Sequence, residues 1–240
     1  MQRLSIKKVI LLLTLMTMCL WWLWLADYEL GLNLMKLGVY PGDLSSLPGI
    51  ILAPLIHGSF GHLVSNTLPL ILLSGAILLF YPSSSLRVFL GIWLLSGIGV
   101  WLWGRPSYHI GASGLTHGMM FYLFFSGIIR KDTLSTAIAM LSFFFYGSMV
   151  FSIFPQDPSV SFEYHFFGAL AGSVLAYVYK KVEPKPEVKK YDWEEADEID
   201  PIIGDQWKTF DLEPGNVEVS EATPASSRLN KSDNPWDNLK

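Results

Sequence analysis

The chain has 240 residues, is 51% apolar and 16% charged, and carries nine tryptophans, which is enough for one sizeable domain. Its charge is divided unevenly: residues 1–182 hold ten Lys/Arg against six Asp/Glu, a net of +4, and residues 183–240 hold seven against fifteen, a net of −8. A soluble globular domain and a nucleic-acid binder are both excluded by that pattern, and the single cysteine, Cys19, excludes an intrachain disulfide and a cysteine-based metal site.

The first predicted element is the uncharged run Val9–Ala26, long enough to cross a hydrocarbon core of about 30 Å at about 1.5 Å per residue. Arg3, Lys7 and Lys8 precede it, as they would in a signal peptide. Its length and the lack of a small-residue cleavage site before Asp27 favour a membrane anchor. The connection from Asp27 to about His57 is too long for a bundle turn and mixes apolar residues with three prolines. We read it as a non-spanning structure in the outer interface rather than a floppy loop, because a loop would leave many apolar side chains in water.

Five further apolar segments follow, at about Ser59–Phe80, Leu86–Trp103, Gly111–Ile129, Leu134–Phe154 and Phe162–Tyr179. The fold class expected is therefore an all-α polytopic membrane protein with six transmembrane helices. Arg3, Lys7, Lys8, Arg87, Arg130, Lys131, Lys180 and Lys181 all fall at ends that alternating crossings put on one side, leaving only Lys36 and Arg105 opposite. The excess marks the cytoplasmic side and puts both termini there, in a bacterial inner membrane. After residue 182 the composition turns acidic and then rich in Ser, Pro, Asn and Asp, so 183–240 is expected to be a disordered cytoplasmic tail. Trp193, Trp207 and Trp236 are the only hints of docking motifs in it.

Polar residues within spans are costly and so are functional candidates. Acids are scarce there: Asp27, Glu29, Asp43, Asp132, Asp157 and Glu163 fall in loops or near helix ends. Neither the paired aspartates of an aspartyl intramembrane protease nor a His-Glu-x-x-His zinc motif is present. What remains is Gly111-Ala112-Ser113-Gly114 opening the fourth span and His165 near the start of the sixth. Ser113 lies 17 residues before Arg130 and His165 lies 15 before Lys180, roughly 25 and 22 Å of helix, so the two share a depth.

Serine needs a base within hydrogen-bond reach, a role histidine fills near neutral pH. Glu163 is two residues before His165, about 200° around the helix, which predicts a dyad without a carboxylate. His62 and Asn66 are one turn apart on the second span and, with the Ser113 backbone N–H, could form an oxyanion hole. His57 could support it from nearer the surface. Gly114 and Gly118 on one helix and Gly168 and Gly172 on another form small-x-x-x-small pairs that let backbones meet. Each element alone also has a packing explanation; their joint occurrence at matched depth points to chemistry.

The segments HGSFGHLVSN, GASGL and HFFGALAGSVLAY resemble the second, fourth and sixth helix motifs of the rhomboid family of intramembrane serine proteases, over about residues 47–180. The resemblance implies Ser113 as nucleophile, His165 as base, and His62 and Asn66 as oxyanion donors, with Gly111, Gly114, Gly168 and Gly172 as motif glycines. It implies transmembrane protein substrates with a small residue before the scissile bond, and no metal or cofactor. Two positions depart from the family. Pro48 and Gly49 stand where relatives carry Trp-Arg, leaving open what anchors the first loop. His117 stands where relatives carry an aromatic that stacks on the catalytic histidine, so stacking remains possible but a titratable group is added. The alternatives are a catalytically inactive relative that escorts membrane clients and, further off, a transporter. Oligomeric state and natural substrate are not legible.

Overall fold

The computed structural model describes residues 4–185; of the expected tail only residues 183–185 fall within it, and the expectation for the rest lies outside the described residues. The architecture is all-α, with seven α-helices among the described residues: α1 (Ile6–Leu30), α2 (Gly49–Leu52), α3 (Phe60–Phe80), α4 (Ser85–Trp103), α5 (Ser113–Arg130), α6 (Thr133–Tyr146) and α7 (Phe162–Val178). A 3-10 segment, Gly147–Ile153, continues α6. Among the described residues four stretches are long and apolar enough to cross a membrane: Ile6–Leu30, Phe60–Phe80, Ser85–Trp103 and Thr133–Ile153. Of the other three helices α2 is a single turn, and α5 and α7 have 18 and 17 residues; Ser113 and Gly114 lie in the first turn of α5 and His165 in that of α7. α5 and α7 are the most enclosed helices in the bundle, so protein rather than lipid surrounds most of their surface.

Helix ends follow local chemistry. Ser59 caps α3, its hydroxyl accepting from the His62 N–H at 3.1 Å. Asp132 caps α6 through the Ser135 N–H, and Ser161 caps α7 through the Tyr164 N–H. Gly31 ends α1 in the left-handed conformation at φ 61°.

The main core gathers Leu63, Leu70 and Leu73 of α3, Val88 and Ile92 of α4 and Leu115, Met119, Met120 and Leu123 of α5. Against it α5 and α7 meet backbone to backbone. A Cβ on Gly168 would stand 2.0 Å from the Gly114 carbonyl oxygen, and one on Gly172 would stand 1.9 Å from that of Gly118. No side chain larger than hydrogen fits either place without parting the helices.

The segment between α1 and α3 is structured: 3-10 turns at Leu34–Leu37, Leu44–Ser46 and Ala53–Leu55 flank α2. Two α4 tryptophans anchor it, Trp101 Nε1 donating to the Asp43 carbonyl at 2.9 Å and Trp93 Nε1 to that of Ile51 at 3.2 Å. Val39 pairs with His109 in an isolated bridge. Gly49 presses on the Gly38 carbonyl oxygen, 2.4 Å from where its Cβ would be, so the Pro48-Gly49 departure is a close backbone approach. At the opposite end of the bundle, Arg130 is buried and donates to the carbonyls of Lys180, Glu183 and Pro184, while Glu183 accepts from the Ser84 N–H and hydroxyl.

Candidate active site

Ser113 is the first residue of α5, preceded by Gly111 at φ 106°, a conformation that favours glycine. A side chain at Gly111 would also strike the His62 imidazole, 2.5 Å from its Nε2. The Gly-x-Ser-Gly stretch thus has two separate reasons for its glycines, the second being Gly114, whose missing Cβ leaves room for the Tyr164 ring. At a helix start the first backbone N–H groups have no i−4 partner and the macrodipole presents its positive end. The N–H of Ser113 is one of these, and it has no acceptor among the described residues.

One cavity of about 690 Å³ joins Ser113, His165, His62, Asn66 and His117. Its lining otherwise includes the hydroxyls of Ser59, Ser65, Tyr108 and Thr116 and contains no Asp, Glu, Lys or Arg. Ser113 and His165 are 9% and 7% exposed.

The ring of His165 is held on two sides. Its Nδ1 lies 3.0 Å from the backbone carbonyl of Ser152, which can only accept; the proton is therefore on Nδ1, and Nε2 keeps its lone pair. The His117 ring lies parallel to it, centroids 3.9 Å apart and planes 9° from parallel. No hydrogen bond joins the Ser113 hydroxyl to His165 among the described residues, a contact that commonly tightens only when substrate binds. Glu163 turns elsewhere, to Arg105 at 3.3 Å.

Asn66 Nδ2 donates to the His62 carbonyl at 3.0 Å, leaving its second N–H for other acceptors. His57 is buried behind the site, its Nε2 accepting from the Ala112 N–H at 3.4 Å, with its ring 5.0 Å from that of His62. Burial first, and then the neighbouring His62, lowers the His57 pKa to about 4 against the pull of the Leu55 carbonyl, so this ring is neutral near pH 7. It braces the peptide that leads into Ser113. Ser152 and Thr116 were not legible as site residues: Ser152 acts through a carbonyl on the far end of the α6 extension, and Thr116 bonds to the Ser113 carbonyl at 2.9 Å within its own turn.

Residues 45–182 match the Rhomboid domain. The chain is also 34% identical over 175 residues to the uncharacterized protein Rv1337 of Mycobacterium tuberculosis (strain ATCC 25618 / H37Rv), covering 69% of this chain and 73% of the relative. It is 32% identical over 170 residues to the uncharacterized protein ML1171 of Mycobacterium leprae (strain TN), covering 67% and 64% respectively. This chain is a polytopic integral membrane protein and belongs to the rhomboid family, a family of intramembrane serine proteases.

Proposed function

We propose that the protein is an intramembrane serine endopeptidase that cuts membrane-anchored proteins with a Ser113–His165 dyad. The observation that carries this reading is the convergence of both side chains on one cavity, with the His165 Nε2 lone pair left free by the Nδ1 bond to Ser152. In the first step His165 Nε2 takes the hydroxyl proton as Ser113 Oγ attacks the scissile carbonyl. The Ser113 N–H, His62 and Asn66 receive the oxyanion, and the positive end of α5 adds to their field. His165 then gives its proton to the leaving amine. Water, deprotonated by the same nitrogen, hydrolyses the acyl-enzyme. The Ser152 carbonyl takes the place of a carboxylate as the acceptor that orients the base.

Six crossings are proposed: α1, α3, α4, α5, α6 with its 3-10 extension, and α7. Lys7, Lys8, Arg87, Arg130, Lys131, Lys180 and Lys181 then share the cytoplasmic side of a bacterial cell membrane, and the site lies toward the outer face. A bond at that depth belongs to the outer end of a substrate's span. Such a helix must unwind first, exposing N–H and C=O groups that cost several kcal/mol each unless partnered. Neutral hydroxyls and amides around the cavity suit an unwound backbone. Substrates are expected to carry Gly, Pro or a polar residue there, and a small residue before the cut.

A second reading, a client-binding relative without proteolysis, draws on the absence of a direct Ser113–His165 hydrogen bond among the described residues. A fluorescent fluorophosphonate separates the two. Purified protein should be labelled at Ser113, and labelling and reporter cleavage should vanish in Ser113→Ala and His165→Ala while both variants stay folded. Wild-type protein that takes no label and cuts no reporter would favour the escort.

A further inference from the structure

Ser152 occupies the last turn of the 3-10 extension of α6, an element that contributes neither nucleophile nor base, yet its carbonyl meets the base and its hydroxyl meets the ring stacked on that base. Its carbonyl takes the Nδ1 bond of His165 at 3.0 Å. Its hydroxyl lies 2.7 Å from Nε2 of His117, the ring stacked on His165. We propose that Ser152 and His117 form a positioning clamp in which one residue fixes both the tautomer of the catalytic base and the ring that holds it flat. The proposal rests on the protease reading above and adds two residues to it.

Proton counting gives the clamp its direction. His117 Nδ1 lies 2.6 Å from the backbone carbonyl of Ser113, which has no proton to give, so a neutral His117 carries its proton on Nδ1. Its Nε2 is then an acceptor, and among the described residues the only donor offered is the Ser152 hydroxyl. That hydroxyl has one proton and a second acceptor in reach, the Met149 carbonyl at 2.9 Å. Satisfying His117 Nε2 therefore competes with the 3-10 turn's own carbonyl, and the shorter contact is the one to His117. The bonds run in a line: the Ser113 carbonyl accepts from His117, His117 accepts from the Ser152 hydroxyl, and the Ser152 carbonyl accepts from His165. The backbone of the nucleophile is thereby connected to the ring of its base through polar contacts that close around a 3.9 Å stack.

A phenyl or phenol ring in place of His117 could stack, but only a ring nitrogen can accept the hydroxyl at this point. This explains why a histidine here is not equivalent to the aromatic found in relatives. Without the hydroxyl, Ser152 loses its tie to α5. The carbonyl that orients His165 is then placed only by the packing of Met149 and Val150 on the core, with no polar contact from its own side chain to α5.

The test is a double-mutant cycle on the full chain in liposomes, with a transmembrane reporter, the fluorophosphonate, and ring ¹⁵N spectra of histidine-labelled protein. Ser152→Ala should lower kcat about 10- to 100-fold with KM within about twofold of wild type, as expected for a misplaced base. Ser152→Thr, which keeps the hydroxyl, should restore most of the rate. His117→Phe keeps a stacking ring but removes the acceptor; in that background Ser152→Ala should cost nothing more. The ¹⁵N signals should show His117 and His165 as Nδ1–H tautomers in wild type, with His165 becoming a tautomer mixture in Ser152→Ala. Full activity of Ser152→Ala, or additive losses in the double variant, would overturn the clamp while leaving the protease intact. Ring spectra that Ser152→Ala does not change would also overturn it, whatever the activity. A wild type that neither labels nor cuts would instead remove the protease reading on which the clamp rests.

Discussion

Of the helices packed on α5, α7 and α6 hold it in different ways. Against α7 the contact is backbone on backbone over successive turns, Gly114 on Gly168 and Gly118 on Gly172. Against α6 it is tight only at the end bearing Arg130, where a Cβ on Gly127 would meet Ala139 at 2.4 Å and the Ser135 carbonyl at 2.7 Å. Toward the site α6 tightens into a 3-10 segment, which packs Met149 and Val150 on the core and meets α5 and α7 through the hydrogen bonds of Ser152. Ser113 and His165 ride on the pair joined backbone to backbone, and Ser152, whose carbonyl meets the His165 ring, rides on the element that adds polar contacts. Packing sets the distance between helices; hydrogen bonds set the angle of a ring.

The largest effect should come from breaking the packed side. Gly172→Val sets a branched side chain where even a methyl would be 1.9 Å from the Gly118 carbonyl oxygen, and backbone cannot yield as a side chain tip does. Overpacking a core typically costs about 1–3 kcal/mol and more where no neighbour can move. We expect this variant to lose both its thermal transition in detergent and its fluorophosphonate labelling. Gly61→Ala is the control, since nothing lies within 4 Å of its added methyl and its transition should hold. A Gly172→Val protein as stable as wild type would contradict the α5–α7 geometry.

Next in size is the polar clasp at the far end. Arg130 is 6% exposed, pairs with Asp132 at 3.0 Å and donates to three carbonyls of the chain that follows α7. Arg130→Ala strands those acceptors and the carboxylate, a loss of about 3–5 kcal/mol for a buried pair. Chemical denaturation should show it, with reporter cleavage falling only as far as the folded fraction does. Burial raises the Asp132 pKa, but the Ser135 N–H and hydroxyl and the Arg130 guanidinium outweigh it and leave it below the usual carboxylate value. Its contribution is present above the unfolded pKa of about 4 and is lost as pH falls through the lowered folded value. Arg130→Ala should therefore weaken the loss of stability seen below about pH 4.

The same contrast explains what was legible in the sequence. Side-chain spacing reports backbone proximity well when the side chains are hydrogens, so Gly114, Gly118, Gly168 and Gly172 announced a close helix pair. Hydropathy outlined α3, α4 and α7 to within a residue or two because solvent change at each end is abrupt. It gave a single long helix for 134–154, whereas α6 ends at Tyr146 and tightens to 3-10. Nothing in a one-dimensional pattern separates these, since both keep apolar residues facing outward. The clasp of Arg130 with Glu183 and Pro184 joins residues more than fifty apart in the chain, and Ser152 acts through a carbonyl that every residue owns. Neither leaves a motif. His57 was a candidate from its nearness to His62, but only its bond to the Ala112 N–H shows what it supports.

A smaller effect should follow from loosening that support. His57→Ala leaves the Ala112 N–H without its acceptor in a buried place, worth about 1–3 kcal/mol. The native protein contains a milder version of the same change. With a folded pKa of about 4 against 6.5 for an ordinary histidine, His57 favours folding fully above pH 6.5, and that contribution is lost as pH falls toward 4. Stability of wild type between pH 7 and 4.5 should decline more steeply than that of His57→Ala. Parallel profiles would remove His57 as the group responsible.

The smallest effect should come from the outward face of α6, where the comparison between packed and unpacked surfaces meets the solvent. Phe144 is 81% exposed within the chain, and Ile92, at the centre of the core, is fully buried. In water the first would be a liability and the second an asset. In a bilayer the surroundings of Phe144 are acyl chains as apolar as the protein interior, so transfer between the two has little driving force, and what distinguishes them is fit. Ile92→Ala opens a hole among α4, α5 and α7 side chains that cannot flow to fill it, at about 2–5 kcal/mol. Phe144→Leu exchanges one hydrocarbon for another against a fluid neighbour and should stay within about 0.5 kcal/mol. Thermal unfolding of both variants in one lipid mixture measures the difference. A loss above about 2 kcal/mol for Phe144→Leu would mean that a specific surface, such as a second copy of the chain, packs on α6. The hydroxyl tie of Ser152 to His117 would then share its work with an interface.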